Sequence, residues 1–454
     1  MTIGMEAFKM RISRLLAIVT CVVVALGACS NQPDPLADTG NESLFLYGSD
    51  GNIQNGFAAF FKDQPGMLSG MKGTAPLADL AQDFRNRISA TDPNLQDLIF
   101  AGETYDAVVI SAIAAQLAGT TNPAAIAKHI NGVTIGADSC SSVAACLTLA
   151  RTPGRDPAYR GVTLRHGFTS AGEPSTASYG VFHFGPNNLI DDGKTELLNT
   201  GNDRNAITEQ PARPAIPGNY KNSGAPLVLG GLLPIDGALA FAYPPMIAGA
   251  RLALKEINEA GGVLGQPVVW HDGNDFTDPT KALTTVAKHK ADGVHVIIGP
   301  SGSAISMKVL PEVIKGGMIL FSPSATAAAL SNVEDSGMYF RTAPSDILQA
   351  RALADVMLRD GVKKICLIAI DDAYGDGLLA DVQRELTAAG VAAGQIKVFQ
   401  YEVGENSMIA KPDQVTEIAQ QVNAFHPEGV LVIGFEESAE VIKGLAKAGM
   451  RFRQ

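Results

Sequence analysis

The 454-residue chain carries little charge and few aromatic rings: 18% of its residues are Asp, Glu, Lys or Arg, 6% are aromatic, and Trp occurs once. Acidic groups outnumber basic ones and leave a formal net charge of −11. A nucleic-acid binder needs a basic face, and a single-strand binder needs exposed rings for base stacking, so both classes are excluded. Catalytic signatures are missing too. No GxxxxGK[ST] cradles phosphate, no HExxH holds zinc, and Gly299-Pro300-Ser301-Gly302-Ser303 does not fit the GxSxG elbow of hydrolases. The seven His stand singly, so no metal site is expected. The acidic stretch His271–Asp278 has Phe276 where a calcium loop needs an oxygen ligand, and reads instead as a strand-to-helix loop with an Asp cap. Apolar residues are plentiful, at 46%. That supplies a large core and excludes a disordered chain.

The apolar share is uneven. Leu15 to Ala28 are 14 nearly uninterrupted apolar positions, preceded by Lys9, Arg11 and Arg14. This is a signal-peptide layout over residues 1–28, too short for a comfortable membrane span. Leu26-Gly27-Ala28-Cys29 resembles the lipobox of bacterial lipoproteins, which implies lipidation of Cys29. The alternative is an ordinary secretory signal with an incidental cysteine. Residues 29–42, rich in Pro, Asp, Asn and Gly, read as a tether. In an exported chain Cys140 and Cys146, with five residues between them, read as a local disulfide. Cys366 lies in an apolar strand pattern and reads as a core residue.

Breakers such as PARPAIPGNYKNSGA mark residues 187–225 as an internal linker. It divides the chain into a block at 43–186 and a block at 226–454. The second block alternates between apolar runs and helical periods. Strands are expected at 226–233, 267–271, 294–299, 318–321, 364–370, 398–401 and 430–434. Helices are expected at 244–260, 279–291, 304–314, 348–358, 377–389, 412–423 and 438–448. Continuous apolar strands separated by helices imply parallel sheets covered on both faces. The fold class is therefore α/β, with two doubly wound lobes joined by a hinge. The chain stops just after a helix, where a parallel sheet requires a strand. That strand stands at the other end, in Ser43-Leu44-Phe45-Leu46-Tyr47-Gly48. Lobe one is expected at about 226–342. Lobe two is expected at about 343–454, completed by 43–75 and 160–186. Within the first block, 77–88 and 105–118 read as helices and 179–184 as a strand.

In open α/β sheets, ligands bind beyond the carboxyl ends of the strands. Ser303, in a loop that opens a helix, and the next loop's Ser324 and Thr326 offer hydroxyls and helix-start N–H groups suited to a carboxylate. Helix capping by Ser would also account for each loop alone. Asp50, after the first strand, suits an ammonium, although Ser49-Asp50-Gly51-Asn52 is also an ordinary turn composition. Tyr374 and Phe435 stand at two further strand ends as candidate walls, and core packing would explain either alone.

Several segments resemble the type 1 periplasmic binding proteins of the branched-chain amino-acid class. They include Pro244–Gly262, Val296–Ser303, Phe321–Thr326, Phe340-Arg341-Thr342 and Asp372-Ala373-Tyr374-Gly375. In the first block, Tyr47–Asn52, Tyr105–Val108 and Tyr179–Phe182 resemble that family's later segments. The family's second half thus stands before its first, which implies a circular permutant whose original ends are joined by the linker; a scrambled remnant that folds poorly, or two chains exchanging halves in a swapped dimer, are the alternatives. About 39 residues of linker reach roughly 30–37 Å. The resemblance implies a ligand carboxylate at Ser303, Ser324 and Thr326, an ammonium at Asp50, and walls from Tyr374 and Phe435. It implies no cofactor and no catalysis. The expected partners are a small amino-acid-like ligand, an ABC permease and, through Cys29, the extracytoplasmic face of a membrane. A sensor that signals to a partner protein without transport is the alternative.

Overall fold

The computed structural model describes residues 43–95, 97–164, 167–209, 224–404 and 409–454. The expected leader, Cys29 and the tether lie outside them. The described residues form one compact unit. Among the described residues, no helix is long and apolar enough to cross a membrane.

The first block runs β1 (Phe45–Gly48), β2 (Lys72–Pro76), α1 (Gln82–Thr91), α2 (Ala101–Ala118), α3 (Pro123–Ile130), β3 (Asp138–Cys140), α4 (Val143–Arg151), β4 (Pro157–Tyr159), β5 (Thr176–His183) and β6 (Glu196–Gly201). The second runs β7 (Val228–Gly231), α5 (Tyr243–Glu259), β8 (Val269–His271), α6 (Pro279–Ala291), β9 (Val296–Ile298), α7 (Ser303–Lys315), β10 (Ile319–Ser322) and β11 (Tyr339–Arg341). It continues with α8 (Asp346–Arg359), β12 (Ile365–Ile370), α9 (Ala373–Ala388), β13 (Ile396–Tyr401), α10 (Pro412–Phe425), β14 (Gly429–Ile433) and α11 (Ser438–Lys447).

Two large sheets organise most of these elements, while β3 and β4 form a separate parallel pair. The first has order β11-β10-β9-β7-β8 and is parallel throughout. The second has order β13-β12-β14-β1-β2-β5-β6. It is parallel from β13 to β2, then antiparallel through β5 and β6. Every residue of β12 is buried, Cys366 included, as a strand covered on both faces demands. β1 sits between β14 and β2, with Leu46 opposite Val430. The residue before β1 also bonds to the stretch after α11: Leu44 N–H donates to Arg451 O at 2.9 Å, and Arg453 N–H donates to Leu44 O at 2.8 Å. The second sheet is thus completed by the first block.

One feature differs from the sequence expectation, and a second adds to it. Residues 187–225 were read as linker throughout, yet Glu196–Gly201 within them pairs antiparallel with β5 as β6. Its half-exposed edge position needs no apolar period, so the sequence pattern is silent there. The middle of the first block also belongs with the first lobe. All 18 residues of α2 are buried, Glu103 and Asp106 among them, so the helix is enclosed on every side. It packs on α5, and one core joins Leu80–Phe168 side chains to those of β7, β9 and β10. Cys140 and Cys146 are joined in a disulfide within this part, with Cα atoms 5.4 Å apart. The second lobe has its own core, drawn from β1, β12, β14, α9 and α11 among others. The stretches β2–α1, β4–β5 and β11–α8 carry the chain between lobes.

Candidate functional site

The first wall of the cleft is built where β9 and β10 end. After β9, Gly299-Pro300-Ser301-Gly302 turns into α7, whose first residue is Ser303. Asp275, fully buried, fixes this turn: its carboxylate accepts Ser301 N–H at 2.9 Å and Thr277 N–H at 2.8 Å. Burial pushes the Asp275 carboxyl up to about 6, while those two hydrogen bonds pull the other way. Ser303 Oγ accepts two backbone N–H groups from the next loop, Thr326 at 3.2 Å and Ala327 at 3.0 Å. A hydroxyl has two lone pairs and one hydrogen. Both lone pairs are used, so what Ser303 has left is a donor, the group an anionic oxygen needs. Ser324 differs, because its hydroxyl donates to Ser301 O at 3.1 Å and ties the two loops together. Ser322 adds a third tie, donating to Pro300 O at 2.7 Å and accepting from Ala325 N–H at 2.9 Å.

Arg341 underpins that loop. Its guanidinium, fully buried, donates to Ala325 O at 3.1 Å and Ala327 O at 3.0 Å and pairs with Glu173 from the first block. Planar Arg carries several donors in a fixed fork, so one side chain can satisfy carbonyls and a carboxylate together.

The second wall comes from β1, α9 and the loop after β14. Asp372 caps α9 by accepting Tyr374 N–H at 2.9 Å and Gly375 N–H at 2.8 Å, which sets Tyr374 at the helix start. The Tyr374 hydroxyl lies 2.6 Å from Asp50 Oδ1 and 2.7 Å from Ser49 Oγ. Its ring stacks on Phe435 with centroids 5.2 Å apart and planes 19° apart. Phe435 is held by its own N–H, donated to buried Glu437 at 2.8 Å. Gly51 has no room for a side chain: a Cβ would lie 2.4 Å from Gly434 O and 2.8 Å from the Phe435 ring. Burial raises the Asp50 carboxyl above its ordinary range, and the Tyr374 hydrogen bond opposes that rise.

The six residues singled out from sequence, Asp50, Ser303, Ser324, Thr326, Tyr374 and Phe435, line one narrow cleft. Phe100, Leu239 and Phe241 supply its apolar surface. Phe100 stands just before α2 with φ 56°, a left-handed conformation that bulky side chains adopt rarely. Sequence patterning gave no sign of it.

Asp346 is the other residue missed. It begins α8, is fully buried, and its N–H donates to Thr326 O at 2.8 Å. Neither carboxylate oxygen makes a hydrogen bond of ordinary geometry, although the Thr326 hydroxyl is close enough to favour its ionised form. Burial, then the nearby Asp50 charge, hold this carboxyl well above its ordinary range. An acid in the first turn of a helix is common, so Thr342-Ala343-Pro344-Ser345-Asp346 reads as ordinary capping.

Two doubly wound lobes that face each other across a cleft, acidic on one wall and hydroxyl-rich on the other, define a two-lobed α/β protein built to enclose a small molecule. The chain belongs to the periplasmic binding protein family, whose model matches residues 226–454. It is similar to a Leu/Ile/Val-binding protein, BraC3, of Rhizobium johnstonii, with 26% identity over 212 residues, covering 46% of this chain and 57% of the relative. Leu/Ile/Val-binding protein homolog 1 of Brucella suis biovar 1 is 30% identical over 219 residues, with the same shares covered. Among solved structures, an ABC transporter substrate-binding protein from Desulfitobacterium hafniense in complex with Leu matches with TM-score 0.40 and 23% identity, over 50% of this chain and 65% of that one. The chain spans just over half the length of the curated relatives it matches.

Proposed function

We propose that the protein captures a small amino-acid-like ligand between its lobes and presents it to an ABC permease, without catalysing a reaction on it. The observation that carries this reading is convergence. Asp50 and Tyr374 lie 324 positions apart in sequence yet meet at 2.6 Å, across the cleft from the Ser303 hydroxyl and the start of α7. An acid opposite a helix N-terminus matches a zwitterion end to end: ammonium to Asp50, carboxylate to Ser303 and the first N–H groups of α7, which have no intrahelical partner. Ser324, its hydrogen spent on Ser301, shapes the seat rather than donating to it. The Tyr374–Phe435 stack and Phe100 offer an apolar side to an aliphatic group. The likeness to Leu/Ile/Val-binding proteins makes a branched aliphatic amino acid the first ligand to test.

Export with lipidation at Cys29 completes the proposal and rests on the leader pattern. So does the permuted order, which the pairing of β1 with β14 supports. The test is calorimetry of the purified protein with L-leucine, L-isoleucine and L-valine. Saturable binding of at least one is expected. A folded protein that binds none of them overturns the amino-acid reading.

A further inference from the structure

The second wall holds more acid than one ammonium requires. Asp50 and Asp346 are both buried, and each raises the charging cost of the other. The groups around them come from every neighbouring element. Tyr374 and Asp381 come from α9, Tyr179 from β5, Gln349 from α8, Thr326 from the loop after β10, and Arg341 from β11. Arg341 is the cation among these, and it is already paired with Glu173 and bonded to two carbonyls. Asp381 is paired with Arg384 at 2.6 Å. Gln349 donates to Thr74 O at 3.0 Å and keeps an unpartnered Oε1. The pair therefore faces phenols, an amide and a hydroxyl, with no spare positive charge among the described residues. Burial and mutual repulsion both oppose ionising the two carboxylates together while the cleft is empty.

We propose that Asp50 and Asp346 act as one titrating unit that keeps a proton in the empty cleft and releases it when a primary ammonium binds. This rests on the amino-acid reading and deepens it. Asp346 is a positioning residue: it lies behind Thr326 and acts through the charge of Asp50. The balance is simple. The ligand enters as R–NH₃⁺, one carboxylic acid of the pair loses H⁺ to the buffer, and no covalent bond to the ligand forms. The positive end of α8 and the arriving ammonium together offset the second negative charge. Two consequences follow. Binding strengthens as pH rises, because the proton is a product. Amines are selected over carboxylates of the same shape, because without an ammonium the pair keeps its proton and the seat goes unfilled.

The test titrates L-leucine into the full chain by calorimetry in two buffers of different ionisation enthalpy, phosphate and Tris, at about pH 6 and about pH 8. Proton release makes the observed heat differ between buffers, and affinity rises by up to about tenfold per pH unit for each proton released. Asp346→Asn is expected to shrink both the buffer difference and the pH slope, leaving the part that the burial of Asp50 alone sets. The deaminated analogue 4-methylpentanoate is expected to bind at least about a hundredfold more weakly. Leucine binding with equal heats in both buffers and no pH slope overturns the proposal and leaves the amino-acid reading standing. A folded wild-type protein that binds no leucine at either pH overturns both. The wild-type buffer comparison decides the matter even if the Asn variant does not fold.

Discussion

The two walls of the cleft are built on opposite principles. On the first, the polar groups are already used: Ser303 accepts from Thr326 and Ala327, Ser324 donates to Ser301, Ser322 bridges both loops, and Asp275 and Arg341 hold them from behind. On the second, the Asp346 carboxylate makes no hydrogen bond of ordinary geometry and Asp50 has a phenol where a cation would fit. A satisfied wall is rigid and stable without ligand. An unsatisfied one costs free energy until something arrives, because buried unpaired carboxylates are expensive. The contrast explains why stability and binding should come apart in variants of the two sides.

Breaking the first wall has the largest expected effect. Arg341→Ala leaves Glu173 without its cation and two loop carbonyls without donors. Removing one partner of a buried ion pair costs about 3–5 kcal/mol. Urea unfolding is expected to show that loss whether or not ligand is present. A loss below about 1 kcal/mol would mean that the loop is held by its serines alone. Breaking the second wall inverts the pattern. Asp50→Ala is expected to cost about 2–5 kcal/mol in L-leucine affinity, as for one partner of a buried charge pair, while the ligand-free protein melts no lower than wild type. Unchanged affinity by calorimetry would sink the ammonium assignment.

Ser303→Ala sharpens the comparison, since this residue belongs to both accounts. Two N–H groups lose their acceptor, at about 1–3 kcal/mol of stability for buried groups left unpaired. A donor to the ligand is lost as well. Both the melting temperature and the leucine affinity are therefore expected to fall. Ser324→Ala is expected to lower stability more than affinity. If it is the other way round, Ser324 and not Ser303 is the donor to the ligand.

The same contrast governs what could be read from sequence. The six cleft residues were legible because each stands where an apolar run gives way to a loop, and the strand ends of a doubly wound sheet converge by geometry. β1 was legible because Leu44–Tyr47 is an apolar run that gives way to turn residues. Asp346 was hidden because its local pattern is a helix cap; its lack of ordinary carboxylate hydrogen bonds is a tertiary fact. Asp275 was hidden by a loop rich in capping acids, of which Asp278 does cap α6, accepting Thr280 N–H at 2.8 Å. The burial of α2 beneath the first lobe was hidden because its helical period says nothing about which lobe it covers. β6 was hidden by the turn residues around it.

The smallest expected effect is the most discriminating. Tyr374→Phe keeps the stack on Phe435 and removes only the hydroxyl that lies against Asp50 and Ser49. That hydroxyl favours ionised Asp50, so without it the carboxyl, already raised by burial, rises further. A carboxyl raised in the folded state binds protons that the unfolded chain has released. Its contribution to stability is therefore complete at acid pH and is lost as pH climbs through the raised value. The ligand-free variant is accordingly expected to fall behind wild type in melting temperature as pH rises from about 5 to about 8. Leucine needs ionised Asp50, so its affinity should drop by about 0.5–1.5 kcal/mol near neutral pH, the worth of one hydrogen bond, and recover toward wild type at higher pH. Paired melting curves and titrations across that range check both. A loss of affinity that is the same at every pH would mean that the Tyr374 hydroxyl touches the ligand itself, and the phenol would then belong to the binding surface instead of to the acid behind it.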